Sequence, residues 1–128
     1  MAERHYQSVK HNRLATAAAL ATLALSEFRL AEDNRYDPLL RKLGEFLLGM
    51  QRPTGDFDHM GGNLRRIKLL YYDGEATFAL ARLGNIFGDA RYKTAAKRGL
   101  DWLTSTAYAN SCAESGQKCT IVCWRIAP

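Results

Sequence analysis

Cysteine is scarce in this chain of 128 residues, which holds three, all within the last 17 positions. They are Cys112, Cys119 and Cys123. An odd number cannot form a closed set of disulfides within one chain, and the apolar, helix-forming part of the sequence has none. This pattern excludes a disulfide-held scaffold and fits a reducing compartment, so we expect a cytoplasmic protein.

A long uninterrupted apolar run is also missing. The nearest candidate, from Leu14 to Leu25, is too short to span a bilayer and gives way to Glu27 and Arg29. Basic residues precede this run, as in a signal peptide, but small and apolar side chains keep helical spacing well past any cleavage point. We therefore predict a structural helix and no membrane segment, with secretion as the alternative.

The motifs of cofactor, metal and nucleic-acid sites are absent as well. The sequence has no glycine-rich phosphate loop and no nucleophile elbow. The cysteines are separated by six and three residues, with no histidine nearby, and match no standard zinc site. The net charge of +5 is spread along the chain, and no nucleic-acid-binding motif accompanies it. We expect no cofactor, no bound metal and no nucleic-acid partner.

An internal repeat of 56 residues is what the sequence does contain. Arg35-Tyr36 aligns with Arg91-Tyr92, and each pair comes shortly after an Asp at the predicted start of a helix. At the same offset the character of five further positions coincides, namely Arg41 with Lys97, Lys42 with Arg98, Glu45 with Asp101, Phe46 with Trp102 and Leu47 with Leu103. Upstream, residues 23–28 align with residues 78–83 at an offset of 55, one residue less than in the rest of the repeat. The repeating unit is a pair of helices.

The predicted fold is all-α, with two tandem antiparallel hairpins over residues 1–104. The first hairpin covers 10–51 and the second 73–104; loop 52–72 joins them, and an irregular tail occupies 105–128. The bounding signals are Asp37 and Pro38 as N-cap and first residue of the second helix, Gly88 at the second turn, and Asp89 as the N-cap of the fourth helix. A loop as long as 52–72 is usually functional or disordered.

Apolar spacing predicts the buried face of each helix. The expected stripes are Leu14, Ala17, Ala18, Ala21, Ala24, Leu25, Phe28 and Ala31 on the first helix, Leu39, Leu43, Phe46, Leu47 and Met50 on the second, Ala76, Ala79, Leu80, Leu83 and Phe87 on the third, and Tyr92, Ala95, Ala96, Gly99 and Leu103 on the fourth.

Residues 42–57 resemble the repeat of terpenoid cyclases and protein prenyltransferase β-subunits, in which a basic-Gly start, an aromatic-aliphatic run, a Gln and a Gly-x-Trp follow one another. The stretch reads Lys-Leu-Gly-Glu-Phe-Leu-Leu-Gly-Met-Gln-Arg-Pro-Thr-Gly-Asp-Phe, with Phe57 where Trp is usual. The motif implies a structural role. We expect Gln51 to bond backbone groups left free at the helix end, and the ring of Phe57 to pack over the neighbouring repeat.

Residues 71–83 and 88–92 resemble the hairpins of six-hairpin glycosidases, sugar epimerases and related carbohydrate-active toroids. Both resemblances imply an α/α toroid, and four helices would make about one third of its ring. We therefore expect a truncated or partial toroid, with an exposed hairpin edge that self-associates or binds a partner subunit. The tail is expected either to cap the array or to be unrelated to the parent fold, as after a change of reading frame.

Candidate site residues lie in the long loop and at the start of the third helix, where acid-base groups stand beside rings that can stack on sugars. We predict Asp73, Glu75, Asp56 and His59 as catalytic residues and Tyr71, Tyr72 and Asp58 as substrate-binding residues. The alternative is structural. The loop carboxylates can bond turn N–H groups, and acidic residues in a first helical turn favour the helix dipole.

The leading functional expectation is a part of a carbohydrate-processing toroid enzyme, glycosidase-, lyase- or epimerase-like, inactive alone and with a carbohydrate ligand. An isoprenoid-handling toroid is the first alternative, although the Asp-x-Asp-Asp run of squalene-type cyclases is absent. The second alternative is a non-catalytic helical-repeat binding module. A polar groove lined by carboxylates and tyrosines would favour sugars, and a dry apolar cavity would favour isoprenoids.

Overall fold

The computed structural model of the protein describes residues 17–58 and 72–105. Within these ranges the chain forms four α-helices, which are α1 (17–30), α2 (Asp37–Met50), α3 (Tyr72–Phe87) and α4 (Ala90–Leu103). The described residues contain no β-strand, although Gln51 and Phe57 form an isolated antiparallel bridge. The predicted all-α class is confirmed. The predicted start of the first hairpin at residue 10 and the tail from 106 lie outside the described residues.

The turn after α1 is a Schellman motif with an unusual residue at its centre. The N–H of Asp33 donates to the carbonyl of Phe28 at 3.1 Å, and the N–H of Glu32 donates to that of Arg29 at 3.1 Å. Glu32 has φ of 64°, the left-handed conformation that this motif requires and that glycine usually supplies. The chain therefore reverses here at a conformational cost.

The N-terminus of α2 differs by one residue from the prediction. The helix begins at Asp37, and Tyr36 occupies the N-cap position without a side-chain capping bond, so the assignment of Asp37 as N-cap is wrong. The helix thus begins one residue earlier than predicted, and Pro38 lies in its first turn, where the missing N–H leaves no intrahelical bond unmade. Asp37 instead lies in the first helical turn, where its charge suits the helix dipole, and pairs with Arg29 at 3.1 Å.

The turn between α3 and α4 agrees with the sequence prediction. Gly88 has φ of 64°. The side chain of Asp89 caps α4 by accepting the N–H of Arg91 at 2.8 Å. Because the connection is so short, α3 and α4 form a tight antiparallel pair. Residues 32 and 88 are equivalent in the 56-residue repeat and share the same φ, so both hairpins turn in the same way.

The two hairpins stack with α1 beside α3, while α2 contacts both α3 and α4. The carboxylate of Glu27 pairs with Arg82 at 3.3 Å, and that of Glu45 pairs with Arg91 at 2.8 Å. Gly44 lies close to both helices of the second hairpin, since a Cβ added there would lie 2.7 Å from Leu83 Cδ1 and 2.7 Å from Tyr92 Oη. Glycine at this position lets α2 settle against the second hairpin.

The hydrophobic core lies between the two hairpins and includes the ring of Phe57 in the loop after α2. Its fully buried members include Ala19, Leu40, Leu47, Phe57, Tyr72, Ala76, Ala79, Leu80, Leu83, Tyr92 and Ala95. The stripes predicted for α3 and α4 are confirmed, with the outermost residues Phe87 and Leu103 partly buried. None of the described helices is long and apolar enough to cross a membrane.

The stripe predicted for α1 is largely wrong, and the stripe predicted for α2 is confirmed in part. On α2, Leu47 is buried and Leu43 and Met50 are partly buried against the core as predicted, whereas Leu39 and Phe46 are 45% and 39% exposed. Leu40 and Gly44, which were not predicted, are also buried. On α1, the buried residues are Ala18, Ala19, Thr22 and Ser26, and the predicted Ala17, Ala21, Ala24, Phe28 and Ala31 are exposed. The hydroxyls of Thr22 and Ser26 tolerate burial because each donates to a carbonyl one turn earlier, at 2.7 Å.

Candidate functional site

The loop after α2 is held against α4 by the side chain of Gln51. Its Nε2 donates to the carbonyl of Gly55 at 3.1 Å and to that of Ala95 at 2.8 Å, while its Oε1 accepts from Arg98 at 2.9 Å. This glutamine is structural as expected, but the carbonyls that it bonds belong to the loop and to α4 and not to the end of α2. It bonds its own loop and also the helix of the neighbouring hairpin, and so joins the two repeats.

Gly55 brings the loop backbone into contact with α4. It has φ of 100°, and a Cβ at this position would overlap the carbonyl of Arg98. A side chain is therefore excluded both by conformation and by space. The loop turns here, with the N–H of Gly55 bonded to the carbonyl of Arg52 at 2.9 Å.

Asp56 is 6% exposed and is satisfied within its own loop. Its carboxylate accepts from the hydroxyl of Thr54 and from Arg52 Nη1 at 3.2 Å. Arg52 also reaches Asp58 at 3.4 Å from Nη2, so one guanidinium serves two carboxylates. Asp56 therefore has a structural role within its loop, but through the side chains of Thr54 and Arg52 and not through the backbone N–H groups that the structural alternative predicted.

Phe57 fastens the other side of the loop to the start of α3. Its ring is fully buried and meets the Tyr72 ring edge to face, with centroids 5.9 Å apart and planes inclined at 73°. Its N–H donates to the Asp73 carboxylate at 3.0 Å. Asp73 is 6% exposed, so this carboxylate is a buried acceptor that orients the loop.

Tyr72 is buried within this cluster. Burial raises the pKa of its phenol, and the negative charges of Asp73 and then Asp58 raise it further. The phenol therefore stays protonated across the physiological range. Asp56, Asp58, Tyr72 and Asp73 are thus brought together, whereas His59 and Tyr71 lie outside the described residues. No contact described here tests a catalytic role for any of these residues.

Glu75 is separate from the cluster and faces a different surface. It lines a groove of about 770 Å³ between α3 and α4, which Leu23 of α1 closes at one end. The remaining lining residues are Gly74, Thr77, Phe78, Ala81, Ala96, Lys97, Leu100 and Leu103. Phe78 and Leu100 are 52% and 56% exposed, so the groove presents an open apolar surface.

Burial in this groove raises the pKa of the Glu75 carboxyl above its ordinary value. Its Oε2 is shielded from solvent and has no hydrogen-bond partner among the described residues. Thr77 Oγ1 is likewise shielded and lacks a hydrogen-bond partner there, but it lies against Gly99 of α4. The groove therefore combines apolar walls with one carboxyl group, that of Glu75.

Sequence reasoning missed this groove, although the repeat contained a signal for it. Leu40, Gly44 and Leu47 of α2 are buried, and 56 residues later stand Ala96, Leu100 and Leu103 of α4. Leu100 is exposed and Leu103 is partly exposed, whereas Ala96 is buried, so part of the surface covered in the first hairpin is open in the second. Recognising this required knowledge of which face of α2 is buried, and that face was predicted only in part.

No group of three or more potential metal ligands occurs within residues 17–58 and 72–105. Comparison of the chain with protein-family models, with curated proteins and with solved structures finds no match.

Proposed function

We propose that the chain is a helical-repeat binding module whose open groove holds the apolar face of an α-helix. The observation that carries this proposal is the groove itself, where exposed Phe78 and Leu100 flank small residues between α3 and α4. An exposed apolar surface of this kind often marks a site where a ligand or another protein binds. The polar side chains of Gln51, Asp56 and Asp73, by contrast, are bonded within the loop after α2 or hold that loop against α3 and α4.

The shape of the groove favours a helix over a compact ligand. Its walls run from Gly74 to Ala81 and from Ala96 to Leu103, which is about 10 Å or two helical turns along each wall. Small side chains at Gly74, Ala81 and Ala96 allow another helix to approach closely. A binding module therefore agrees better with this site than catalysis by the chain alone.

Carbohydrate processing as part of a larger toroid is the second candidate, and Glu75 is the observation that favours it. A carboxyl whose pKa is raised by burial keeps its proton to a higher pH than an exposed glutamate does, and this favours a role as proton donor. The apolar walls beside it are less suited to a sugar and better suited to an isoprenoid chain, which keeps the isoprenoid-handling alternative in the test below.

Isothermal titration with three probes separates these candidates. The probes are a designed amphipathic helical peptide with an alanine and leucine face, the isoprenoid alcohol farnesol, and a soluble oligosaccharide. We expect the peptide to bind the wild-type chain and to bind Leu100→Glu at least about tenfold more weakly. Phe46→Glu is the matched control, because Phe46 is exposed and apolar but does not line the groove.

Absence of peptide binding, or equal binding by Leu100→Glu, would overturn the proposal. Binding of farnesol in its place would support the isoprenoid alternative. Binding of the oligosaccharide, weakened by Glu75→Gln, would support the carbohydrate candidate.

A further inference from the structure

The groove of the second hairpin corresponds, residue by residue, to the surface of the first hairpin that is already covered. We call the covered surface the front face of hairpin 1. It consists of Ala19, Thr22 and Ser26 of α1 and Leu40, Gly44 and Leu47 of α2, all buried. With the offset of 55 for the first helices and 56 for the second, the equivalent residues are Gly74, Thr77, Ala81, Ala96, Leu100 and Leu103. All six line the open groove.

The surface of hairpin 2 that packs on the front face also has an equivalent in hairpin 1 by the repeat offsets. Hairpin 2 presents a buried set consisting of Ala76, Ala79, Leu83 and Ala95, from which Leu83 reaches Gly44 and the Ala95 carbonyl accepts from Gln51. The same offsets lead to Ala21, Ala24, Phe28 and Leu39, which we call the back face of hairpin 1. Each member of the back face is exposed. One chain therefore carries an uncovered groove and, on its opposite side, an uncovered copy of the surface that fills such a groove.

Charges at the edge of these surfaces are complementary in the same register. Between the two hairpins of one chain, Glu45 pairs with Arg91 at 2.8 Å. Their equivalents are Asp101, beside the groove, and Arg35, beside the back face. Arg35 already bonds Asp33 as Arg91 bonds Asp89, so its side chain is oriented in the same way. A hairpin placed in the groove by the repeat operation would bring Asp101 opposite Arg35 of the next molecule.

From these equivalences we infer that the groove binds the back face of hairpin 1 of a second copy of this chain, so that copies associate head to tail. The inference rests on the proposed function, since it names the helical surface that the groove holds. The contact repeats the stacking between hairpins 1 and 2 and joins two different surfaces, which makes it a heterologous interface.

A mixing experiment with two variants tests the inference. Leu100→Glu places a charge in the groove, and Ala24→Glu places one on the back face. Both residues are exposed, so neither substitution disturbs the core. Wild-type protein is expected to associate with rising concentration in analytical ultracentrifugation, and each variant alone is expected to remain monomeric because one of its two surfaces is blocked.

Mixing the two variants in equal amounts is expected to restore association. The intact back face of Leu100→Glu can enter the intact groove of Ala24→Glu, and the assembly then stops at a 1:1 dimer. A like-for-like interface would not show this complementation, because each variant would carry a defective surface into every pair. Circular dichroism of each variant checks that its helices are intact.

The charge pair provides a second, independent readout. Asp101→Arg or Arg35→Asp alone is expected to weaken association by a few-fold, because exposed ion pairs are weak. A chain carrying both changes is expected to recover association, and so is an equal mixture of the two single variants. In the double variant, and in each contact between the two single variants, opposite charges face each other again.

A wild-type chain that stays monomeric at every concentration overturns the inference, and so does association that survives both blocking variants. If the designed helical peptide still binds the wild-type groove while the chain stays monomeric, the proposed function stands and only the identity of the partner is wrong. If the peptide also fails to bind, both proposals fail.

Discussion

The side-chain Nε2 of Gln51 lies 2.8 Å from the carbonyl oxygen of Ala95, and this bond joins the end of α2 to the middle of α4. It connects residues 44 positions apart, in different hairpins. The same amide also holds the Gly55 carbonyl, so the loop and the neighbouring repeat depend on one side chain. Other polar contacts that cross between the hairpins in the described residues include the bond from Arg98 to the same side chain and the exposed ion pairs of Glu27 with Arg82 and of Glu45 with Arg91.

Gln51→Ala is therefore expected to destabilise the chain by about 1–3 kcal/mol, since two carbonyls at a partly buried site lose their side-chain donor. Urea unfolding followed by circular dichroism gives the free energy of unfolding. Asn85→Ala, at an exposed position of α3, is the control and should change stability by less than about 0.5 kcal/mol. Equal effects of the two substitutions would show that Gln51 does not join the repeats.

Gly44 and Gly49, both within α2, form a natural pair for testing the stacking of the hairpins. A Cβ at Gly44 would meet Leu83 and Tyr92 at 2.7 Å, whereas a Cβ at Gly49 has nothing within 4 Å. Gly44→Ala is expected to cost about 1–3 kcal/mol because α2 must move away from hairpin 2. Gly49→Ala should stabilise by about 0.5–1 kcal/mol through helix propensity alone.

Thermal and urea unfolding of both variants measure this contrast. If Gly44→Ala were neutral or stabilising like Gly49→Ala, the close packing of α2 on Leu83 and Tyr92 would be wrong. The relative position of the hairpins would then have to be revised.

Glu32 and Gly88 occupy equivalent turns, and both have φ of 64°. A left-handed conformation costs a non-glycine residue about 1–2 kcal/mol. Replacement by glycine removes this cost, but part of the gain is lost because glycine increases the conformational entropy of the unfolded chain. Glu32→Gly is expected to raise the free energy of unfolding by about 0.5–1 kcal/mol. The reciprocal change, Gly88→Ala, is expected to lower it by about 1 kcal/mol, since space around Gly88 is open and conformation alone decides. Effects of the same sign for both substitutions would contradict the shared turn geometry.

The sequence predicted those features of the fold that depend on local chemistry. Gly88 and Asp89 mark the second turn because few other residues adopt that conformation or cap a helix as well, and the stripes of α3 and α4 follow from plain apolar spacing. The stripe of α1 was mostly wrong and that of α2 was right only in part, for a different reason. Each helix has two faces able to pack in a repeat array, and spacing alone does not tell which one is covered.

The types of residue at the site could be predicted from the sequence, but their hydrogen-bond partners could not. Asp56 and Asp73 were identified as acidic groups in the right region, yet their buried bonds to Arg52 and to the Phe57 N–H depend on how the loop crosses the start of α3. Thr22 and Ser26 were not counted as core, because a hydroxyl looks polar in a sequence. Their bonds to carbonyls one turn earlier remove that polarity in the structure.

The carboxyl of Glu75 makes the free energy of unfolding depend on pH, and the burial of this carboxyl determines the direction of the dependence. Burial in the groove raises its pKa above the ordinary value of 4.5, so the folded state holds a proton more tightly than the unfolded state. The resulting stabilisation is fully present below the unfolded pKa and is lost as the pH rises through the folded pKa. The Glu75→Gln variant has no titrating group at this position, so it does not lose this stabilisation as the pH rises. Its stability relative to wild type should therefore increase with pH across this window and level off above it.

Urea unfolding of both proteins from pH 4 upward measures that difference, because this lower limit lies below the ordinary glutamate pKa of 4.5. Repeating the series at high salt concentration separates the two physical causes, because salt screens charge pairs between exposed groups but does not rehydrate a buried carboxyl. A difference that stays constant with pH would show that the groove does not desolvate Glu75. A pH dependence that disappears in salt would assign the shift to neighbouring charges and would remove the reason for treating this carboxyl as a proton donor.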